Sequence, residues 1–288
     1  MMKIGVSGAS GQLGSAVVQA LAETVAAENL VAISRTPKTD LTYAGRLGDY
    51  DQSETLVAAY QGLDRLLLIP GADLRPGIRS RQMLAAVDAA AQAQVGHVFL
   101  LSATGTQREG EAAVGAAYWH SEQALIKSAI PAWTILRMSY FSETLVEEVR
   151  MSLTAGGLAA LEDSRVSFVS RGDVAKAAAA ALTSEGHEGA IYQLTGPETL
   201  RGKAVCRLVA QHIQRPFVLN VMRAEVLRAG LLKTGLHEVV ADAVVSIKTR
   251  QARGAYDIVS GDIVRLTGGT PCSLAEILAS TAGGLGQS

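Results

Sequence analysis

Apolar and polar positions follow two rhythms along this chain. Short continuous apolar runs occur at Lys3 to Ser7, Leu30 to Ile33, Arg65 to Ile69, His97 to Leu101 and Trp133 to Arg137. Between them lie stretches with apolar residues at helical spacing: Val17, Val18 and Leu21; Leu56, Val57 and Tyr60; an alanine-rich segment from Ile78 to Gln94; and Ala116 to Ser128. A continuous run suits a central parallel strand, because helices cover both of its faces. A short segment at Ala44 to Leu47 supplies a further strand, and Gly62 caps the helix that ends near Tyr60. This alternation predicts a doubly wound parallel sheet, a Rossmann-type α/β fold with right-handed crossovers.

After Met138 the pattern loosens. Helices are expected at Ser142 to Leu153 and Asp173 to Thr183, with short strands at Val166 to Val169 and Ile191 to Leu194. Residues 199–288 read as mixed helices plus one strand, Phe217 to Val221, with helical spacing between Leu236 and Ile247. Ser273 and Glu276 form a capping box for the last helix, and Gly283 to Ser288 should fray. The expected division is a Rossmann domain over 1–137, with segments returning at about 164–195, and a smaller, mixed α/β, substrate-side domain over most of 138–288.

The first strand meets the first helix at Gly5-Val6-Ser7-Gly8-Ala9-Ser10-Gly11-Gln12-Leu13-Gly14. Glycines spaced G-x-x-G-x-x-G let the backbone turn tightly, approach an anion closely and pack the helix against the sheet. The free N–H groups at the helix start then face that anion. In this strand–turn–helix setting the segment reads as a dinucleotide pyrophosphate site. An NAD-binding version carries Asp or Glu about twenty residues further on, accepting from the ribose 2′-hydroxyl. Here that place holds Ser34 and Arg35, and the nearest acid is Asp40, beyond Pro37. A guanidinium grips a 2′-phosphate with paired charge-assisted hydrogen bonds, so NADP(H) is the expected cofactor.

Composition narrows the partners. With 26 basic and 27 acidic residues the net charge is −1, which gives no field to attract nucleic acid or anionic lipid. The short basic cluster Lys248 to Arg253 lacks the interleaved aromatics of a nucleic-acid site. Cys206 and Cys272 are far apart, and the five histidines fall into no ligand spacing, so no metal is expected. No apolar run approaches the roughly 18 residues of a spanning helix, and no signal-peptide pattern opens the chain. A cytoplasmic protein that meets small molecules, not nucleic acid or membrane, is the expectation, as monomer or homodimer.

The glycine turn, Arg35, Gly48-Asp49-Tyr50, Leu67-Leu68-Ile69, Thr134-Ile135-Leu136-Arg137 and Gly186-His187-Glu188-Gly189-Ala190-Ile191-Tyr192 together resemble the NmrA-like atypical short-chain dehydrogenase/reductase family, above all its quinone-reductase and triphenylmethane-reductase branches. The similarity runs nearly end to end and is densest before residue 195. It implies an NADP(H)-binding Rossmann domain and a small C-terminal domain closing a substrate cleft over the nicotinamide. Residue by residue it implies cofactor binding by Gly8, Ala9, Ser10, Gly11, Gln12 and Leu13, by Arg35, and by the loop Gly71, Ala72, Asp73 and Leu74. It implies the same for Met138, Ser139, Tyr140, Phe141 and Ser142, and for Arg171. The chain departs from the family at Met138, where relatives usually carry Asn.

Ordinary short-chain dehydrogenases protonate a carbonyl with a Tyr-x-x-x-Lys pair. This chain has Tyr118-Trp119-His120-Ser121-Glu122, with glutamate in the lysine's place, and a carboxylate one turn away opposes phenolate formation. A quinone or cationic dye is electrophilic enough to accept hydride without that acid, so positioning does the work. Tyr118 and His120 are the candidate catalytic residues, and Tyr118, His120, Tyr140 and Phe141 are expected near the acceptor. Two functions follow: an NADPH-dependent reductase of quinone-like or dye-like acceptors, or a non-catalytic NAD(P)-sensing regulator of the NmrA type. Without a second nucleotide motif, no flavin is expected.

Overall fold

The computed structural model describes residues 2–38, 42–110 and 114–281. Asp40 and the tail from Gly283 to Ser288, for which fraying was expected, lie outside them. In chain order the elements are β1 (Ile4–Ser7), α1 (Gln12–Ala22), β2 (Leu30–Ser34), β3 (Ala44–Leu47), α2 (Glu54–Tyr60), β4 (Arg65–Leu68), α3 (Ile78–Gln92), β5 (His97–Ala103), α4 (Val114–Lys127) and β6 (Ala132–Met138). There follow β7 (Tyr140–Phe141), α5 (Ser142–Ser152), β8 (Gly157–Ala160), β9 (Arg165–Val169), α6 (Arg171–Thr183), β10 (Ala190–Leu194), β11 (Thr199–Arg201), α7 (Gly202–Ile213) and β12 (Val218–Val221). The chain closes with α8 (Ala224–Lys233), α9 (Glu238–Ala252), α10 (Asp262–Thr267) and α11 (Leu274–Ser280). It divides into two compact units, 1–137 with 174–192 and 138–173 with 193–288. Residues 164–173, which carry β9 and the start of α6, thus lie in the second.

The first unit is a Rossmann-type sheet of order β10-β6-β5-β4-β1-β2-β3. Ile4 of β1 lies opposite both Leu30 and Arg65, in parallel register, and Leu68 lies opposite Leu100. The order reverses between β1 and β4, which makes their carboxyl ends the switch point where ligands of such folds bind. Leu66, Leu67 and Leu68 are fully buried. Leu66 and Leu68 join a cluster with Leu56, Tyr60, Met83, Val87, Val98 and Leu100; Leu67, between them, points to the opposite face. Each such burial is worth about 1.5–3 kcal/mol, so a polar residue anywhere in the run would be costly. Gly62 follows α2 with φ +73°, as its role as a cap requires.

Polar residues at the amino side of this sheet are structural. Buried Arg65 donates to the carbonyls of Leu182 (2.9 Å) and Ser184 (2.5 Å) and to Glu185 (2.6 Å), closing the C-terminus of α6. His97 Nε2 lies 2.8 Å from Thr134 Oγ1, whose own proton goes to the His187 carbonyl. Burial and then the nearby Arg65 charge lower the His97 pKa to about 4, so the imidazole is neutral at pH 7.

The second unit holds a three-stranded sheet, β11-β9-β7, and a parallel pair, β12-β8. One strand was expected beyond residue 199. The described residues hold two, Thr199–Arg201 and Val218–Val221, and Tyr140–Phe141 and Gly157–Ala160 add unforeseen ones. Strands of two to four residues are too short for a period-2 pattern, and partners distant in sequence decide them. Phe217 stands outside its strand and fills a core with Val149, Val166, Phe168, Val209 and Tyr256. The capping box is present: Ser273 Oγ accepts from the Glu276 N–H, and Glu276 from the Ser273 N–H.

Candidate active site

The three glycines of the turn have different jobs. Gly8 has φ +90°, and its N–H and that of Ala9 both donate to the Ile33 carbonyl at 3.1 Å, bending the chain away from β1. At Gly14 an added Cβ would sit 2.1 Å from the Gly8 carbonyl oxygen, so only glycine lets α1 start so close to the turn. Gly11 differs: its φ of −74° suits any residue, and the nearest atom to an added Cβ is the Gly8 oxygen, at 3.4 Å. What Gly11 keeps open is space outside the turn. Ser10, Gly11 and Gln12 are exposed there, while Ala9 and Leu13 bury their side chains. Helix α1 has no side-chain cap and no acid in its first turn, so its N–H groups and the positive end of its dipole are uncompensated. These residues fit a pyrophosphate.

Around the turn the carboxyl ends of the strands are polar. Ser7 Oγ lies 3.0 Å from Tyr60 Oη, and Tyr50 Oη donates to the Ile69 carbonyl at 3.0 Å; burial pushes both phenols up, so both stay neutral. Arg35, just past β2, is exposed and has no hydrogen-bond or ion-pair partner among the described residues. In the loop after β4, Asp73 is clamped by Arg75, whose Nε and Nη2 approach within 3.0 and 2.5 Å; these bonds hold its carboxyl at about 2. The Asp73 carboxylate is thereby engaged. The Gly71 carbonyl accepts from Arg79 Nε at 2.8 Å. Gln82 donates to Asp51 at 2.9 Å, while its buried Oε1 faces Gly71 without a partner among the described residues.

Helix α4 places Tyr118 and Glu122 on one face. Glu122, however, is 1% exposed and is not the bare carboxylate that the sequence suggested. Arg137, at the far end of β6, grips it through Nε (2.9 Å) and Nη2 (2.6 Å), and Ser102 Oγ donates to it at 2.5 Å. The buried carboxylate is thus matched by a cation and a hydroxyl donor where it lies. Tyr118 is half-buried, with Arg79 Cζ 5.8 Å from its ring centroid. His120 meets Ser80 instead, its Nδ1 lying 3.2 Å from the serine Oγ. Residues two apart on a helix do not share a face, so Tyr118 and His120 do not converge on a single point. No motif marks Arg79, whose place depends on how α3 packs beside α4.

The remaining expected cofactor residues belong to the second unit. Met138 ends β6 half-buried. Ser139 Oγ is committed to Ser167, at 2.7 Å from its carbonyl. Tyr140 is a core residue: its hydroxyl is bonded to Glu148, and its ring meets Phe168 and Tyr256 edge-on. Burial, then the Glu148 charge, pushes its phenol well above the usual range. The Tyr140 side chain is thus consumed in packing, against the expectation that it faces an acceptor. Phe141 is half-buried under Arg171, whose Cζ lies 5.1 Å from its ring. The Arg171 N–H donates to Glu143 at 2.9 Å. Ser142 Oγ is buried without a partner among the described residues.

Known proteins resemble this chain along most of its length. A family model described as NAD(P)H-binding matches residues 8–185. Quinone oxidoreductase 2 of Escherichia coli is 30% identical over 283 residues, covering 95% of this chain and 96% of that protein. The structure of an E. coli NADPH-dependent quinone oxidoreductase complexed with NADPH superposes with a TM-score of 0.89 at 27% identity, over 96% of this chain and 99% of that one. Citrobacter sp. triphenylmethane reductase complexed with NADP(H) gives 0.87 at 26% identity, over 97% and 99%.

Proposed function

The chain belongs to the NAD(P)H-binding family, as an NmrA-like atypical short-chain dehydrogenase/reductase, and we propose that it passes hydride from NADPH to a quinone-like or dye-like acceptor. It is an NAD(P)H-dependent reductase of the quinone-reductase kind; the acceptor and the residues that serve it are our reading. One observation carries that reading. The place of the activating lysine holds Glu122, locked by Arg137 and Ser102, so Tyr118 has no lysine to make it a strong acid for an unactivated ketone. Acceptors that take hydride without prior protonation remain.

The cofactor would supply the hydride from its dihydronicotinamide. The chain's part is to bind and orient. The N–H groups of Ser10, Gln12 and Leu13 would receive the pyrophosphate, that of Gly11 being given to the Gly8 carbonyl at 3.1 Å; Arg35 would receive the 2′-phosphate, and the loop Gly71 to Leu74, the segment Met138 to Ser142 and Arg171 would add contacts by analogy with the family. Tyr118 would stand nearest the acceptor. Cys206 and Cys272 are not joined in a disulfide, which fits the reducing setting of a cytoplasmic enzyme; among the described residues no helix is long and apolar enough to cross a membrane.

The test is NADPH oxidation by 1,4-benzoquinone, by a cationic triarylmethane dye and by cyclohexanone, followed at the nicotinamide absorbance band. We expect turnover with the first two and none with the ketone. Fast ketone reduction that disappears in Tyr118→Phe would refute the reading, and silence with every acceptor would favour an NAD(P)-sensing regulator.

A further inference from the structure

We propose that Arg79 is the cation of this active site, receiving the oxygen that becomes negative when a quinone is reduced, in place of the lysine that the family's catalytic pattern lacks here. The proposal rests on the quinone-reductase reading and adds a residue to it. Three observations carry it. First, the position that would hold a lysine one turn from Tyr118 is a buried carboxylate, and the arginine that neutralises it, Arg137, is spent on Glu122 through two nitrogens. Second, Arg79 reaches the Tyr118 ring from the neighbouring helix, its Cζ 5.8 Å from the centroid. Third, its only hydrogen bond among the described residues is from Nε to the Gly71 carbonyl, at 2.8 Å. That bond fixes the plane of the guanidinium and leaves both terminal nitrogens as donors.

Its neighbours on the same stretch are engaged otherwise. Arg75 is paired with Asp73 at 2.5 Å and Arg81 lies 3.5 Å from Asp51, whereas no carboxylate is within ion-pair distance of Arg79 among the described residues. Asp73, held by Arg75, feels the Arg79 charge only from beyond ion-pair distance; a half-buried guanidinium fixed beside an aromatic ring, with no carboxylate in contact among the described residues, is suited to an anion that forms only during reaction.

Hydride added to one quinone oxygen forms its O–H bond, and the carbonyl π electrons pass through the ring to the opposite oxygen, which becomes an oxyanion. The nicotinamide is oxidised, the quinone becomes a hydroquinone monoanion, and solvent supplies the second proton. Arg79 pairs with the oxyanion, and the Tyr118 hydroxyl can donate to the same atom. A cationic triarylmethane dye gains hydride at carbon and becomes neutral. It needs no such partner and is repelled by one.

Arg79→Met and Arg79→Lys test this in two ways. In single turnovers at saturating NADPH, Arg79→Met should reduce 1,4-benzoquinone about a hundredfold more slowly, with Arg79→Lys between it and the wild type, while reduction of the cationic dye rises. The second readout involves no turnover: binding of 4-nitrophenolate, a stable oxyanion of similar shape, followed by its absorbance, should weaken at least tenfold in Arg79→Met. Equal loss with quinone and dye, together with weaker NADPH binding, would mean that Arg79 only holds the Gly71 loop, and would overturn the proposal. So would undiminished 4-nitrophenolate binding. If the wild type binds 4-nitrophenolate through Arg79 yet reduces no acceptor, the reductase reading fails while the anion site stands.

Discussion

At the carboxyl edge of the first unit's sheet, Arg35 and Arg79 have no carboxylate within ion-pair distance among the described residues, and the N-terminus of α1 has neither cap nor acid. In the second unit, Lys248 is bound to Glu148 at 2.7 Å, and Glu148 also takes the Tyr140 hydroxyl, so that charge is used up inside the core. The contrast separates two uses of the same residue types. A matched, buried pair is scaffold and weakens the fold when one member is removed. An unmatched cation or a row of free N–H groups at an open edge contributes little to the fold and is available to a ligand.

The largest expected effect breaks the scaffold side of this contrast. Lys248→Met leaves Glu148 without its cation and should lower stability in urea by about 3 kcal/mol, the low end for a buried pair because Glu148 is 20% exposed. Most of that loss should return in the double variant Lys248→Met with Glu148→Gln, which leaves no stranded charge. NADPH affinity should stay as in the wild type. A Lys248→Met protein of normal stability but impaired NADPH binding would dissolve the distinction.

Gly11→Val sharpens the other side. The fold accommodates the Cβ, since φ is −74° and the nearest atom is 3.4 Å away, yet the side chain enters the space over the free N–H groups. NADPH binding, followed by fluorescence, should weaken by at least a hundredfold, about 2.7 kcal/mol, at unchanged stability. Gly14→Ala is the contrasting control, because its Cβ collides with the Gly8 carbonyl and should damage the turn itself. If Gly11→Val unfolds the protein as readily as Gly14→Ala, the assignment of Gly11 to the ligand is wrong.

The first unit was legible in the sequence because its signals are local. The run Leu66 to Leu68 is apolar since both faces of β4 are covered, and Gly8 and Gly14 are fixed by backbone geometry within the turn itself. The second unit was less so, because β7, β8 and β11 are defined by partners far along the chain. The same reason explains the misreadings in the site. Glu122 looked like a bare carboxylate because its partner, Arg137, lies on another element, and Tyr140 looked like a site residue because Glu148, Phe168 and Tyr256 meet it only in the folded unit. Arg79 carries no motif at all. Its place beside Tyr118 comes from packing of α3 on α4, which periodicity does not specify.

The smallest effect is also the most direct test of the central claim, that the unmatched groups of the first unit are there for NADPH. It is a calorimetric titration of NADPH and NADH into the wild type and Arg35→Ala. A guanidinium on a phosphate is worth roughly 1.5–3 kcal/mol, so NADPH should bind the variant about ten- to a hundredfold more weakly while NADH is nearly unaffected. The wild-type preference for NADPH should shrink as salt rises, because Arg35 is exposed. Equal weakening of both cofactors, or of neither, would contradict the account, since Arg35 would then hold something other than the 2′-phosphate.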